Sequence, residues 1–371
     1  MDKKSEGSAS KNGTILYGVP RVEFGAAGIT PFPMCLKASA NYLGQEVSYD
    51  SILAGCGAAF RLTWDTTAWN GGNVDVIFTF DDAVKVYQLG VEMLGREFKL
   101  LGRTSKLTVS DPAKFAGVRM NGDKADFQAF IKSEIDKGMP CIALGVVGPP
   151  EACILTGYRE NGEVLLGWNF FQDSPEFAAD LQFDESGYFI SRHWWENADT
   201  VAVISLGHKT GNPITDKEIV ANAIEVMEGR LCGNYAKGLL AYDAWKKAVT
   251  DPAQFPDNAI LPILAERLMC QGDAMDCLAE GRHNAALFMR SLAERNPEVK
   301  TLCKSAEEQF LKVEACVWQM AQALGGYERN EPQMRNFAKK EVREKISRFI
   351  DEAKEADGKA WGALNKLYLA M

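Results

Sequence analysis

Long apolar runs, an excess of basic residues and closely spaced cysteine pairs are all missing from this 371-residue chain, and each absence removes a class of function. Nothing approaches the run of about 18 apolar residues that a membrane-crossing helix needs. Lys and Arg number 41 against 50 Asp and Glu, a formal charge of −9. The broad basic face of a nucleic-acid binder is therefore not expected. The nine cysteines, at 35, 56, 141, 153, 232, 270, 277, 303 and 316, include no CxxC pair and no zinc spacing with histidine. An odd number scattered through apolar contexts suits a reducing compartment better than a disulfide framework. Residues 1–13, MDKKSEGSASKNG, carry charge with no apolar core behind it, so they read as a disordered tail and not as a signal peptide. A cytoplasmic protein is expected, with no cofactor or metal, no nucleic-acid partner and no membrane partner.

The chain that remains has two grammars. From residue 14 to about 210, short β-branched or aromatic segments alternate with turns and a few helices. Strands are expected at Val74–Phe80, Cys141–Val147, Ala152–Gly157, Val164–Trp168 and Thr200–Ser205. The Asn161-Gly162 pair is a strong hairpin signal and joins the strand at 152 to the strand at 164. Helices are expected over 36–43, 48–54, 82–94 and 124–137. The mixture reads as α+β, with helices packed on an antiparallel sheet.

From residue 211 to 371 the pattern is helical throughout. Thr215 with Glu218 forms a capping box before Ile219, Ala223, Ile224 and Met227. Further helices are expected over 234–249, 259–280, 283–295, 297–325 and 331–368, making an all-α bundle domain. No repeat of fixed period is evident.

Cys35 carries the clearest chemical signal. It follows the turn-rich segment Ile29-Thr30-Pro31-Phe32-Pro33-Met34 and stands before an expected helix. A cysteine at a helix N-terminus meets the positive end of the dipole and unpaired N–H groups, which favour thiolate. The plain alternative is a small apolar residue buried at a helix start.

Two segments around Cys35 and downstream carry a resemblance. The first is Pro33-Met34-Cys35-Leu36, leading to Tyr42-Leu43-Gly44, Val47-Ser48-Tyr49 and Gly55-Cys56-Gly57-Ala58-Ala59-Phe60. The second is Lys137-Gly138-Met139-Pro140-Cys141-Ile142, then Glu151 to Tyr158 and Leu165 to Gln172. In order and spacing they resemble the butirosin biosynthesis protein H N-terminal-like family, near the bacteriocin-leader peptidases in the papain-like superfamily. The resemblance covers residues 14 to about 206 and implies a papain-like fold, with a helical part following. It makes Cys35 the nucleophile and Asn169 the orienting amide. It also puts the base histidine six residues before Gly157, where this chain has Glu151. A glutamate titrates below neutral pH unless burial raises it, so Cys-His catalysis is in question. His193 and His208 are the alternative bases, each with a structural or surface role as its plainer reading; His283 reads as a capping or surface group. Ile29 stands where many papain-like enzymes place an oxyanion-binding glutamine, which leaves backbone N–H groups at the helix start to act alone.

The stretch from Thr63 to Asp75 joins two tryptophans with aspartates and asparagines. Trp64, Asp65, Trp69 and Asn73 read as a substrate-binding pocket lip, or as a structured loop whose tryptophans cap the core. The acidic spacing is not that of an EF-hand. Gly145 and Gly148 precede Pro149-Pro150, which reads as a rigid turn aiming Glu151; no phosphate-loop order is present.

Two functions follow from the resemblance. One is a cysteine-dependent acyltransferase or amide hydrolase acting on a small molecule or peptide, with an acyl carrier protein as a donor. The other is a catalytically inactive papain-like binding protein in which Glu151 replaces the base. A third arrangement makes the helical half a partner-binding groove.

Overall fold

The computed structural model describes residues 8–10, 12–103, 107, 114–179 and 181–371. The chain is α+β and divides into two compact units. One contains Met1–Ile52 and Asp82–Ile214, the other Leu53–Asp81 and Thr215–Met371. A single boundary at 210/211 is thus corrected: residues 53–81 leave the sheet unit and join the helical one. Among the described residues, no helix is long and apolar enough to cross a membrane.

The first unit is built on a ten-stranded sheet among the described residues. Its main path runs Val118–Arg119, Lys99–Gly102, Ala202–Ser205, Cys141–Leu144, Ala152–Arg159, Val164–Trp168, Phe189–Ser191 and Gln182–Phe183. All neighbours are antiparallel except the first two. The 152–159 strand also pairs with Gly13–Ile15, which in turn pairs with Ser8–Ser10. Residues 8–10 and 13 are therefore strand and not disordered tail; 1–7 and 11 lie outside the described residues. The expected hairpin forms across Asn161 and Gly162, both at positive φ. A bulge lies between Leu155 and Gly157, where a Cβ on Gly157 would lie 2.8 Å from the Thr14 carbonyl oxygen. Only glycine lets three backbones meet there.

Helix Pro31–Tyr42 lies against strands 152–159 and 141–144, with nine of its twelve residues buried. Phe32 stacks edge-on with Tyr87 of helix Ala83–Glu92, at 4.8 Å between ring centroids. Helix Lys124–Ile135 opens on a capping box of Asp123 and Asp126. Near its end Glu134 is buried, accepting hydrogen bonds from Ser205 Oγ at 2.6 Å and Lys137 Nζ at 2.7 Å.

The second unit holds long helices, Leu261–Arg295, Lys300–Leu324 and Lys340–Ala370, with shorter ones at Asp216–Met227, Leu239–Thr250 and Glu331–Phe337. The Thr215 capping box is present as expected. Three expectations are corrected. Residues 261–295 form one helix with no break at 281–282, where Gly281 serves packing: a Cβ there would come within 2.7 Å of the Ala59 carbonyl oxygen. Residues 230–237 are not helical. Strands Arg230–Cys232 and Tyr235–Lys237 form a hairpin that adds Thr63–Asp65, an all-antiparallel three-stranded sheet. Finally, Val74–Phe80 is not a strand. The Asn70 and Asp75 side chains accept from Gly72 N and Ile77 N and cap two 3₁₀ turns, Gly71–Val74 and Val76–Phe78.

Arg282, 1 % exposed, fixes the 53–81 segment to this unit. Its guanidinium donates to both Asp357 carboxylate oxygens at 2.7–3.0 Å and to the Ala59 and Arg61 carbonyls at 2.9 and 3.2 Å. Tyr242 donates to Asp357 Oδ2 at 2.6 Å. Replacing Arg282 with Met strands a buried carboxylate and is expected to cost about 3–5 kcal/mol. The check is the urea midpoint, and the double replacement R282M/D357L should recover part of the loss.

Candidate functional site

The helix bearing Cys35 begins at Pro31, five residues before the expected start at 36. Thr30 is the N-cap, Pro31 the first helical residue, and the Met34 N–H already bonds the Thr30 carbonyl at 3.4 Å. Cys35 thus sits in the second turn, past the unpaired amides of the helix end. Pro31 and Pro33 have no N–H, which leaves Phe32 as the only first-turn amide not bonded within the helix. An oxyanion cradle of several helix-start amides is therefore not available as expected.

Cys35 is wholly buried, at 0 % exposure. Burial pushes its thiol well above the ordinary range, and the neighbouring Cys153 and Glu151 push it further. Of the two readings of Cys35, these surroundings match the buried residue at a helix start and oppose a thiolate.

Cys153 lies on strand 152–159, opposite Ala143. Its thiol donates to the Gly145 carbonyl at 3.4 Å. Burial raises its pKa to about 12, while hydrogen bonds from Asn169 and the Ala143 backbone pull the other way. Asn169 follows directly on strand 164–168 and is buried. Its Nδ2 donates to the Val147 carbonyl at 3.2 Å, and its Oδ1 accepts from Phe171 N at 2.7 Å. The structure therefore brings Cys35, Cys153, Asn169 and Glu151 together. The side chain adjoining both Cys35 and Asn169 is a second thiol, a residue the sequence reading missed. One signal was available: Cys153 stands two residues after Glu151, at the start of the expected strand.

Glu151 is partly exposed and continues the ladder, its carbonyl accepting from Gly145 N at 2.9 Å. The loop before it is held tightly: Val146 has φ +77°, and its N–H donates to Thr200 Oγ1 at 3.1 Å. A β-branched residue at positive φ is strained.

His193 does not join this group. It follows Phe189–Ser191, whose Ser191 pairs with Leu165, toward the hairpin end of the sheet. There Arg192 pairs with Glu160 and Trp194 Nε1 donates to the Gly162 carbonyl at 3.2 Å. Asn169 leaves the other end of the 164–168 strand. His193, His208 and His283 are all exposed, whereas the Cys35 sulfur is sealed. His208 pairs with Glu97 at 2.9 Å. His283 lies inside helix Leu261–Arg295, not at a helix junction, and pairs with Glu314 at 3.2 Å.

The residues expected to bind substrate lie in the other unit. Trp64, Asp65 and Trp69 line a cavity of about 490 Å³ together with residues of helices Leu239–Thr250 and Leu261–Arg295. The same tryptophans belong to the unit's core, in contact with one another and, through Trp64, with Trp245. The loop thus caps the core and at the same time walls a cavity. Burial raises the Asp65 pKa, but hydrogen bonds from Thr67 N, Thr67 Oγ1 and Ala68 N overcome it and hold the carboxyl below its ordinary range. Trp69 Nε1 donates to Gln254 Oε1 at 3.0 Å. Asn73 falls within the Gly71–Val74 turn, but its side chain lies outside the described residues.

Compared with known proteins, the chain matches no protein-family model and no curated protein.

Eight of the nine cysteines are buried, and Cys232 alone is partly exposed. Native alkylation with iodoacetamide at neutral pH is therefore expected to label Cys232 and spare Cys35 until the chain is denatured. Peptide mass spectrometry reads the site directly.

Proposed function

We propose that this chain is a papain-like binding protein whose ancestral thiol site does not turn over. The observation that carries the reading is the Cys35 sulfur, sealed from solvent with a raised pKa. A thiol must lose its proton to attack a carbonyl, and a base must take it. Cys153, itself held protonated to about pH 12, cannot take that proton near neutrality.

The papain-like part of the reading is supported by the order of parts. A cysteine helix packs on an antiparallel sheet, and a buried asparagine ends the second strand of a hairpin whose first strand faces that helix. Ligand binding belongs to the aromatic-walled cavity of the helical unit, whose volume suits a small molecule. The ligand is a small molecule or short peptide. Nine unpaired cysteines support a reducing, cytoplasmic setting.

A second reading, thiol-dependent acyl transfer or amide hydrolysis with an acyl carrier protein as donor, is favoured by the strain at Val146. That loop carries Glu151 and receives the Asn169 amide, and such strain collects at reactive sites. Incubation with acetyl-N-acetylcysteamine, a small acyl thioester, separates the two. Intact mass spectrometry is expected to show no acetyl adduct on Cys35 at neutral pH. An adduct there that Cys35→Ala abolishes establishes the second reading instead.

A further inference from the structure

The cavity beside Trp64 and Trp69 has a definite inventory of free and committed polar groups. Its carboxylates are Asp65, Asp251 and Glu266; its cations are Lys247 and Arg267. By count alone the lining carries one more negative charge than positive, which favours a cationic ligand at long range. The mouth is open to solvent, where salt screens such long-range terms within about 10 Å. At contact, unfilled hydrogen-bonding capacity decides.

Each carboxylate has a partner in the protein, although Glu266 Oε1 has none among the described residues. Asp65 accepts from Thr67 and Ala68. Asp251 Oδ1 accepts from Ala253 N at 2.9 Å, and its Oδ2 from Gln254 Nε2 at 3.4 Å. Glu266 is held by Arg267 Nη1. The cations are not used up in the same way. Arg267 donates Nε to the Gln254 carbonyl at 3.4 Å and Nη1 to Glu266, leaving Nη2 free among the described residues. The Lys247 ammonium has no hydrogen-bond or ion-pair partner among the described residues. The Trp69 face most attractive to a ligand cation is already taken, since the Arg267 guanidinium lies 4.9 Å from that ring's centroid.

We infer that this cavity binds a small organic anion with an apolar body, an aryl or acyl carboxylate, whose charged end meets Lys247 and the free Arg267 nitrogen while its body lies against Ala244, Ala248 and the edge of the 64–69 loop. The inference rests on the binding reading above and names its ligand class. The wall is set before binding: Asp65 fixes the Thr67–Ala68 turn, and Gln254 holds the Trp69 ring by its indole nitrogen. Little ordering remains for a ligand to bring about.

Calorimetric titration of the full chain with three probes of one shape tests it: 3-phenylpropionate, 3-phenylpropanol and 3-phenylpropylamine. The carboxylate is expected to bind best. Lys247→Gln should weaken it by about tenfold or more and leave the alcohol unchanged, the size of one charged hydrogen bond. Lys247 is exposed, so an unchanged melting midpoint shows that the variant folds. Lys247→Glu should reverse the preference toward the amine. Preference of the unmodified chain for the amine overturns the anion assignment while leaving the binding reading in place, as does a carboxylate affinity indifferent to Lys247. If none of the three binds, the cavity is not the ligand site; the thioester experiment still decides separately whether Cys35 is a catalyst.

Discussion

The grip of Arg282 on two carbonyls and a carboxylate is the constraint on which the helical unit depends. One guanidinium satisfies Asp357 from helix Lys340–Ala370 and the backbone of residues 59 and 61 at once. Buried charge of this kind is costly unless all its donors are placed, and here Tyr242 takes up remaining capacity on the carboxylate. Gly281, one residue earlier, allows the Ala59 carbonyl to come close enough for the contact. Because the turn at 58–61 is pinned, the strand Thr63–Asp65 follows at a fixed place against Tyr235–Lys237. Its Trp64, with Trp69 in the loop that follows, becomes both core and cavity wall.

In the sheet unit the decisive physics is desolvation. Helix N-terminal fields lower a thiol pKa only when the sulfur reaches the unpaired amides. Cys35 sits a turn too far along, behind two prolines that offer no N–H, and its neighbours are a second thiol and a carboxylate. Burial, the second thiol and the carboxylate all push the Cys35 pKa up. The asparagine that would orient a base is instead tied to Val147, Phe171 and Cys153. Burial thus raises the pKa of both thiols gathered here.

The two units divide the roles that the chain's motifs suggest. The cysteine, the glutamate and the asparagine gather on the sheet, whereas the aromatic loop gathers on the helices. The cavity owes its shape to the core it belongs to, since Trp64 and Trp69 are packed among Trp245, Phe255 and Phe337. Its polar groups are mostly spoken for by short local hydrogen bonds. What is left over, a lysine and half a guanidinium, defines the chemistry it presents.

Local signals in the sequence determined the elements that local physics controls. The Asn161-Gly162 hairpin, the strand Val164–Trp168 and the Thr215–Glu218 capping box follow from turn chemistry, β-branching and side-chain caps a few residues apart. Tertiary structure decided the rest, and the reason is the same in each case: a distant partner claimed a residue that local rules assigned elsewhere. Gly281 reads as a helix break but accommodates the Ala59 backbone, and residues 230–237 read as coil and helix but pair with Thr63–Asp65. Whether Cys35 would be a thiolate depended on burial and on Cys153, more than a hundred residues away, and neither is written in the neighbourhood of the cysteine itself.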